Sequence, residues 1–173
     1  MTMIETDEKL LLDLLNTTPV VNGTQQDELS GVEEGLRWLA AHGQPASADE
    51  WRALLDVRTV LQDIVRGEEE PAAAAPFVLD VSSRALFMDG VIVWEPELPA
   101  GRSAAARAVL AWNELSQSSP GRLRACANPE CRLFLIDHSK PNSARWCSMA
   151  VCGNRMKARR HYQRTRPTQG DRA

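Results

Sequence analysis

Residues 126–152 read CANPECRLFLIDHSKPNSARWCSMAVC, and this stretch decides how the C-terminal part of the chain folds. Its four cysteines form two C-x4-C pairs, Cys126 with Cys131 and Cys147 with Cys152, separated by fifteen residues. Two close pairs at such a separation can present four thiolates to one tetrahedral ion. Because Zn²⁺ prefers this ligand set and does no electron chemistry, the spacing predicts one structural Zn²⁺ per chain.

Other interpretations of the four cysteines remain open. An iron–sulfur cluster also accepts four thiolates, and unrelated buried thiols are a further alternative. Disulfides are disfavoured because we expect a cytoplasmic protein, in which thiols stay reduced. A four-thiolate zinc site leaves no coordination position for water, so the metal would stabilise the fold and not catalyse. We therefore expect His138 to lie at the surface or beside the ligands rather than on the metal.

The residues after Cys152 predict a basic helix over 155–166. Asn154 is the expected N-cap, and Gly153 is expected to let the backbone turn tightly beside the metal. Lys and Arg fall on two stripes of this helix, which suits the phosphate walls on either side of a DNA major groove. A solvated basic tail is the alternative. The predicted nucleic-acid-binding residues are Asn154, Arg155, Lys157, Arg159, Arg160, Gln163, Arg164 and Arg166.

Charge divides the chain into two unlike parts. Residues 1–120 carry 8 basic and 20 acidic side chains, a net of −12, whereas residues 121–173 carry 12 basic and 3 acidic, a net of +9. Four thiolates on Zn²⁺ add a local −2, which leaves the second part at about +7. We therefore predict an acidic N-terminal domain, 1–120, and a basic zinc-binding module, 121–173, whose partner is a polyanion.

Helical periodicity and end signals dominate the first 120 residues. Leucines at helical spacing over 8–16 predict one helix, and Ser30 with Glu33 and Ser47 with Glu50 are capping boxes that predict two more. The third should end at Gly67. A last helix is predicted over 103–117, with Val109, Leu110, Trp112 and Leu115 on its buried side. Residues 19–28 are interpreted as a loop, and the Ala/Pro-rich stretch 68–76 as a linker outside the core.

A β-hairpin interrupts this helical pattern. Asp89-Gly90 lies between two β-branched, apolar runs, and Asp-Gly favours a two-residue turn with positive φ at both positions. We predict strands near 84–88 and 91–95, and a third around 77–81. The first helix ends in a candidate ligand pocket made of Asp13, Asn16 and Thr17, although helix capping explains these residues at least as well. His42 is expected to stabilise a helix C-terminus.

The predicted fold class is therefore α+β: a mostly helical N-terminal domain with one hairpin, then a small, treble-clef-like, four-cysteine zinc finger that ends in a basic helix. A hydrophobic fraction of 43% and a charged fraction of 25% are ordinary for a globular chain and exclude general disorder. The sequence contains no apolar run of transmembrane length. Its acidic start, MTMIETDEKL, does not have the pattern of a secretory signal.

Several of these residues carry a family resemblance. The run 126–160 resembles the CGNR zinc-finger family, whose name matches Cys152, Gly153, Asn154 and Arg155. Members of that family usually carry an N-terminal ABATE domain, described as a putative stress-induced transcription regulator. Residues 14–17, LLNT, and the hairpin that ends in Val93-Trp94 are similar to that domain. Further positions that fit the finger pattern are Leu133-Phe134, Asp137, Ser139, Arg145-Trp146-Cys147-Ser148 and Lys157.

Together, the motifs and the resemblance predict a zinc-dependent, DNA-binding transcriptional regulator. The N-terminal domain would sense a small-molecule signal or mediate association, as a homodimer or with a protein partner. The alternative is a protein–protein adaptor with a structural zinc knuckle and no specific DNA readout. An enzyme is disfavoured because the metal site is closed and no nucleophile–base pair is recognisable, and no membrane association is expected.

Overall fold

A computed structural model describes residues 3–165 of the chain, with side chains from residue 7 to residue 164. The fold is α+β, which confirms the predicted class. No helix within the described range is long and apolar enough to cross a bilayer. The five α-helices of this range are α1 (Met3–Leu15), α2 (Val32–Ala41), α3 (Ala48–Arg66), α4 (Ser103–Ser118) and α5 (Asn154–Thr165).

Between residues 3 and 165 the strands form three separate antiparallel pairs. In the central and longest pair, Asp89 and Gly90 both have positive φ, as the Asp-Gly turn predicts. No strand forms at 77–81, so the prediction of a third strand there was wrong. The pairs are β1 (Val20–Val21) with β2 (Thr24–Gln25), β3 (Ser82–Met88) with β4 (Val91–Glu97), and β5 (Leu123–Ala125) with β6 (Phe134–Ile136).

Helices α1, α3 and α4 build the core. Leucines of α1 and α3, among them Leu11, Leu14 and Leu54, are fully buried against α4. The buried face of α4 consists mainly of alanines, with Val109 and Leu115, whereas the predicted Leu110 and Trp112 are only half-buried. Because alanine side chains are short, α4 can lie close to both neighbouring helices, and this leaves its bulkier side chains at the edge of the core.

The helix ends follow the predicted signals in three cases and depart from them in one. Ser47 caps α3 by accepting a hydrogen bond from the Glu50 amide, and Gly67 ends it at φ +77°. Gly43 likewise follows α2 with φ +65°. The capping box at Ser30 is wrong, because Gly31 is the N-cap of α2 and no side chain caps that end.

Two stretches interpreted as irregular are ordered elements. Residues Pro71–Phe77 form a 3₁₀ helix that packs on α3 and α4, with Ala74 only 2% exposed, so the linker interpretation was wrong. Alanine is small enough to enter the space between the helices, and Pro71 suits a first helical turn. Within 19–28, Asn22-Gly23 makes a positive-φ turn between β1 and β2, so a short hairpin replaces the expected loop.

The β5–β6 pair joins the C-terminal module to this core. Phe134 is 1% exposed and packs among the core leucines. Asn16 at the end of α1 pairs with the backbone of Phe134: its amide nitrogen donates to the carbonyl at 3.3 Å, and its oxygen accepts from the amide at 2.7 Å. β5 packs on α3. The hydrophobic core therefore continues past residue 120.

Candidate metal centre and basic helix

The four cysteine sulfurs converge on one point. All four Sγ atoms lie within 4.8 Å of one another, and the Cys147 sulfur is 3.7 Å from those of Cys131 and Cys152. In a tetrahedron with metal–sulfur bonds of about 2.3 Å, neighbouring sulfurs are about 3.8 Å apart. The cluster thus has the dimensions of a four-thiolate, zinc-finger-like site for a structural metal ion.

Two tight turns present these sulfurs. Cys126 follows β5, and the Cys131 amide donates to the Asn128 carbonyl at 2.9 Å, which closes the first knuckle. Cys147 precedes a π-helical turn, Met149–Gly153, that carries Cys152. Ser148 caps this turn by accepting from the Val151 amide at 3.3 Å. Each C-x4-C pair therefore lies on one short turn whose backbone hydrogen bonds fix the direction of its two sulfurs.

Asn128 supports the cluster from within and was missed by the sequence analysis. Its side chain is 1% exposed, and its amide donates to the Cys152 sulfur at 3.4 Å. The Cys147 amide likewise points at the Cys126 sulfur, 3.5 Å away. N–H donors at thiolate sulfur spread the negative charge of the ligands. The available signal was Asn128 before a proline inside a cysteine pair, a position that favours a turn.

Burial and the close approach of the thiols change their acidity. Burial raises the pKa of Cys131 to about 11, against the lowering effect of a hydrogen bond from the Leu133 amide. Burial and the neighbouring thiols also raise the pKa of Cys147. For Cys152, burial also acts to raise the pKa, but hydrogen bonds from Asn128 and the neighbouring thiols outweigh it and lower the value. Four thiolates this close repel one another, so a bound divalent ion is what allows all of them to ionise.

Asp137 organises the segment between the two cysteine pairs. Its carboxylate is 3% exposed and accepts from the amides of Ser139 at 2.9 Å and Ala144 at 2.7 Å. A hydrogen bond from the Ser139 side chain, together with these two amides, lowers the pKa of Asp137 to about 2. His138 is away from the sulfurs: its side chain is 71% exposed and its Nε2 lies 3.7 Å from the Glu8 carboxylate. The carboxylate of Asp137 thus holds this loop, and His138 does not act as an additional metal ligand.

The basic helix α5 follows the metal cluster without a break. Asn154 has helical dihedrals, φ −68° and ψ −39°, so it is not the N-cap; Ser148, before the π-helical turn, caps the helical segment instead. The helix extends to Thr165, which leaves the candidate Arg166 outside the described residues. Within the described part, the remaining candidates are exposed: Asn154, Arg155, Lys157, Arg159, Arg160, Gln163 and Arg164.

Two contacts set the direction of α5. Arg159 forms an ion pair with Glu130 of the first knuckle at 3.1 Å. Gly153 lies against Met149 and Trp146, where an added Cβ would come within 2.8 Å of the Met149 sulfur and 3.2 Å of the Trp146 ring. Its φ is not positive, so the reason for glycine here is space and not the expected tight turn. α5 otherwise packs on the π-helical turn and leaves its basic face open.

The candidate pocket residues at the end of α1 have separate structural partners. Asp13 accepts from Lys9 and lies 3.0 Å from Nε2 of His42, which itself ends α2. Asn16 pairs with the Phe134 backbone, as described above. Thr17 is fully buried, with its hydroxyl bonded to the Leu14 carbonyl and to Arg58. The structure therefore places these three side chains in contacts that join α1 to its neighbouring elements.

Two family models match the chain. The CGNR zinc finger matches residues 122–165. The ABATE family, described as "Putative stress-induced transcription regulator", matches residues 8–129. Both matches confirm the resemblance seen in the motifs, and they overlap at β5 and the first knuckle, where the finger enters the core. A search of curated proteins found no match.

Proposed function

Because the chain belongs to the ABATE family and ends in a CGNR zinc finger, we propose that it is a zinc-dependent, DNA-binding transcriptional regulator. The finger would engage DNA, and the acidic N-terminal domain would sense a signal or mediate association. We place it in the cytoplasm, where thiols stay reduced and available to metal.

One observation carries this proposal: an exposed helix with five described basic side chains starts two residues after the last cysteine of the metal cluster. A four-thiolate ion has fixed geometry, so it sets the direction in which that helix leaves the protein. We propose Zn²⁺ as the ion because it favours tetrahedral thiolate sites. Its role is structural, which is also why we propose a binding protein and not an enzyme.

The arrangement of charge on α5 suits a DNA groove. Arg155 and Arg159 lie on one side of the helix, and Lys157, Arg160 and Arg164 on nearly the opposite side. A helix in the major groove has phosphates on both flanks, and each contact with a cation releases counterions. Asn154 and Gln163 are the neutral side chains best suited to bond base edges from this helix.

The test is DNA binding of the zinc-loaded, full-length protein over a range of salt concentrations, measured by fluorescence anisotropy. Arg160→Ala with Arg164→Ala removes two exposed charges that belong to one stripe and bind no metal. If both contact phosphate, affinity should fall and the salt slope should decrease by about two. The matched control, Arg37→Ala with Arg52→Ala, removes two exposed charges from α2 and α3 and should change neither quantity.

An unchanged affinity and slope in the α5 variant, or an equal loss in the control, would overturn the assignment of α5 as the DNA-binding element. Selection of bound duplexes from a random pool would then show whether binding is sequence-specific. A shared motif among the selected duplexes supports base readout, and its absence supports binding through phosphate alone.

A second candidate function, a protein–protein adaptor, is favoured by a different observation. Met149 and Val151 on the π-helical turn are 53% and 56% exposed beside the metal cluster, which offers an apolar contact next to the finger. Docking through such a surface would depend little on salt. Absence of DNA binding together with salt-insensitive binding to a protein partner would favour the adaptor.

A further inference from the structure

The β3–β4 hairpin exposes an unusual amount of apolar surface. Phe87 is 76% exposed, Trp94 67% and Ile92 62%, with Val91 and Met88 also more than half exposed. The two strands contact each other far more than they contact any other element. An isolated two-stranded hairpin is at best marginally stable in water, so a surface of this kind indicates that the hairpin has a partner.

The two faces of the hairpin differ in charge. Residues paired across the two strands lie on the same face of the hairpin. What we call the uncharged face consists of three such pairs: Ala85–Trp94, Phe87–Ile92 and, at the base, Ser83–Pro96. The opposite face carries Arg84, which lies 3.5 Å from the carboxylates of Glu95 and of Glu97. Interface centres are depleted of charge and enriched in aromatic side chains, which points to the uncharged face as the contact surface.

The two aromatic side chains supply a large part of the area that a stable contact needs. Phe and Trp side chains each bury about 150–250 Å², so at their observed exposures Phe87 and Trp94 together leave on the order of 300 Å² uncovered. That is roughly a third of the ~800 Å² that each partner buries in a standard interface. Ile92, Ala85 and Pro96 extend the same face.

A groove at the base of the hairpin lies beside the uncharged face. It has a volume of about 460 Å³ between β4 and α4, and its lining combines apolar side chains, among them Trp94, Pro96 and Leu110, with charged ones. The charged lining residues are Asp7, Glu8, Arg107 and Glu114. The uncharged face therefore ends at the base of the hairpin, and the proposed contact surface is confined to the hairpin itself.

We propose that the uncharged face is a homodimer interface, which packs against the same face of a second copy of this chain. A two-fold contact brings identical patches together, and two copies of the uncharged face meet with no like charges opposed. The acidic domain has a net charge of −12, and two copies repel each other over most of its surface. The uncharged, aromatic face is where two copies approach without that repulsion.

This interface deepens the proposed function. A single small finger with one basic helix offers few contacts and binds DNA weakly. A dimer carries two copies of α5 on one particle, and simultaneous contact by both raises the effective affinity when their spacing suits the duplex. The dimer itself does not rest on DNA binding, so the two proposals can fail independently.

The test is the molar mass of the full-length, zinc-loaded protein without DNA, by light scattering coupled to gel filtration. The wild-type protein should have twice the chain mass of 19.1 kDa. Phe87→Glu, on the uncharged face, should give the mass of one chain. Met88→Glu is the matched control, because it adds the same charge at the next residue but on the opposite face. It should remain a dimer.

Circular dichroism and metal content should be unchanged in both variants, because neither position is in the core. A monomeric wild-type protein, a Phe87→Glu variant that stays dimeric, or equal dissociation of the Met88→Glu control would overturn the proposal. If the Phe87→Glu monomer keeps its zinc but no longer binds DNA, the interface is needed for DNA binding. If the wild-type protein is a dimer but does not bind DNA, only the DNA-binding proposal is contradicted.

Discussion

Arg58 is the buried cation that connects α3 to the loop after β2. Its side chain is 8% exposed, and its two terminal nitrogens lie 2.6 and 2.7 Å from the two carboxylate oxygens of Asp27. One of them also donates to the Thr17 hydroxyl at 3.0 Å. The hydrogen bonds from Arg58 lower the pKa of Asp27 below its ordinary value. A paired, bidentate geometry of this kind is strong because both charges keep a partner when they leave water.

This pair predicts a pH-dependent part of the stability. Because the folded pKa of Asp27 is lowered, its contribution is complete above the unfolded pKa of about 4 and is lost as pH falls through the folded value. Asp27→Asn should destabilise the protein by about 1–3 kcal/mol at neutral pH, since Arg58 loses its charged partner. Urea unfolding should show that this difference shrinks below pH ~4.

Asp49→Asn is the matched control for this experiment. Asp49 also pairs with an arginine, Arg52 at 2.9 Å, but both side chains are well exposed. Exposed pairs contribute little, so this variant should unfold like the wild type at every pH. Acid also protonates metal ligands, which affects all three proteins alike. Equal stability of the Asp27 and Asp49 variants would contradict the prediction.

Helix α4 begins without a cap from its own sequence, and a side chain from α3 provides one. Arg102 at the N-cap position makes no capping side-chain bond. Glu50, 1% exposed, instead accepts from the amides of Ser103 at 2.9 Å and Ala104 at 3.0 Å, and from the Ser103 hydroxyl at 2.7 Å. A carboxylate there satisfies free N–H groups and opposes the positive end of the helix dipole.

Substitution of Glu50 should therefore loosen the contact between α3 and α4. Glu50→Gln keeps the size of the side chain but removes its charge and one acceptor, and should cost roughly 2–3 kcal/mol. Glu33→Gln, on the exposed first turn of α2, should change stability by less than about 0.5 kcal/mol. Chemical denaturation of both variants measures the difference, and similar midpoints would show that the Glu50 carboxylate is not the cap we describe.

The finger and the N-terminal domain share one core. Phe134 lies among the leucines of α1 and α3, and Arg66 of α3 covers its ring at 4.7 Å. Asn16 fixes the Phe134 backbone to the end of α1. The sequence alone predicted an acidic domain, 1–120, and a zinc-binding module, 121–173, and gave no sign of these contacts between them. With these contacts, we expect the metal cluster to stabilise both parts, because it holds the ends of the β5–β6 hairpin that inserts Phe134.

Loss of the metal should thus lower the stability of the whole molecule. Cys131→Ser removes one ligand and should release the ion, with α5 and the knuckles losing structure and the thermal transition of the body moving to lower temperature. Ser143→Ala, an exposed change in the same module, should keep the metal and the transition. Elemental analysis should find one zinc per chain in the control and in the wild type.

Calorimetry shows whether loss of the metal lowers the thermal transition of the N-terminal domain. A body transition that is unchanged in Cys131→Ser would mean that the finger docks on the core without stabilising it. Iron in place of zinc, or no metal in the freshly purified wild-type protein, would contradict the zinc assignment itself.

The sequence by itself determined the features that arise within a few residues. The C-x4-C spacing predicted a convergent cluster, because the span between two cysteines of one turn is set by the chain itself. The Asp89-Gly90 turn followed from local backbone sterics, and so did the ends of α2 and α3 at Gly43 and Gly67. Leucines at helical spacing sufficed to place α1 and α3, since periodicity reports the buried face of a helix.

Only the tertiary structure decided which partner each side chain meets. Glu50 belonged to a capping box by sequence, yet its carboxylate caps a helix that begins 53 residues later. Ala74 was interpreted as linker but is buried, and Phe134 lies in a core built mainly by residues more than 60 positions away. Which side chains are buried, and which helix ends are capped, by residues so far away in the sequence depends on how the elements pack. The chemistry of a single side chain is compatible with many such packings. Local pattern carries no information about that choice.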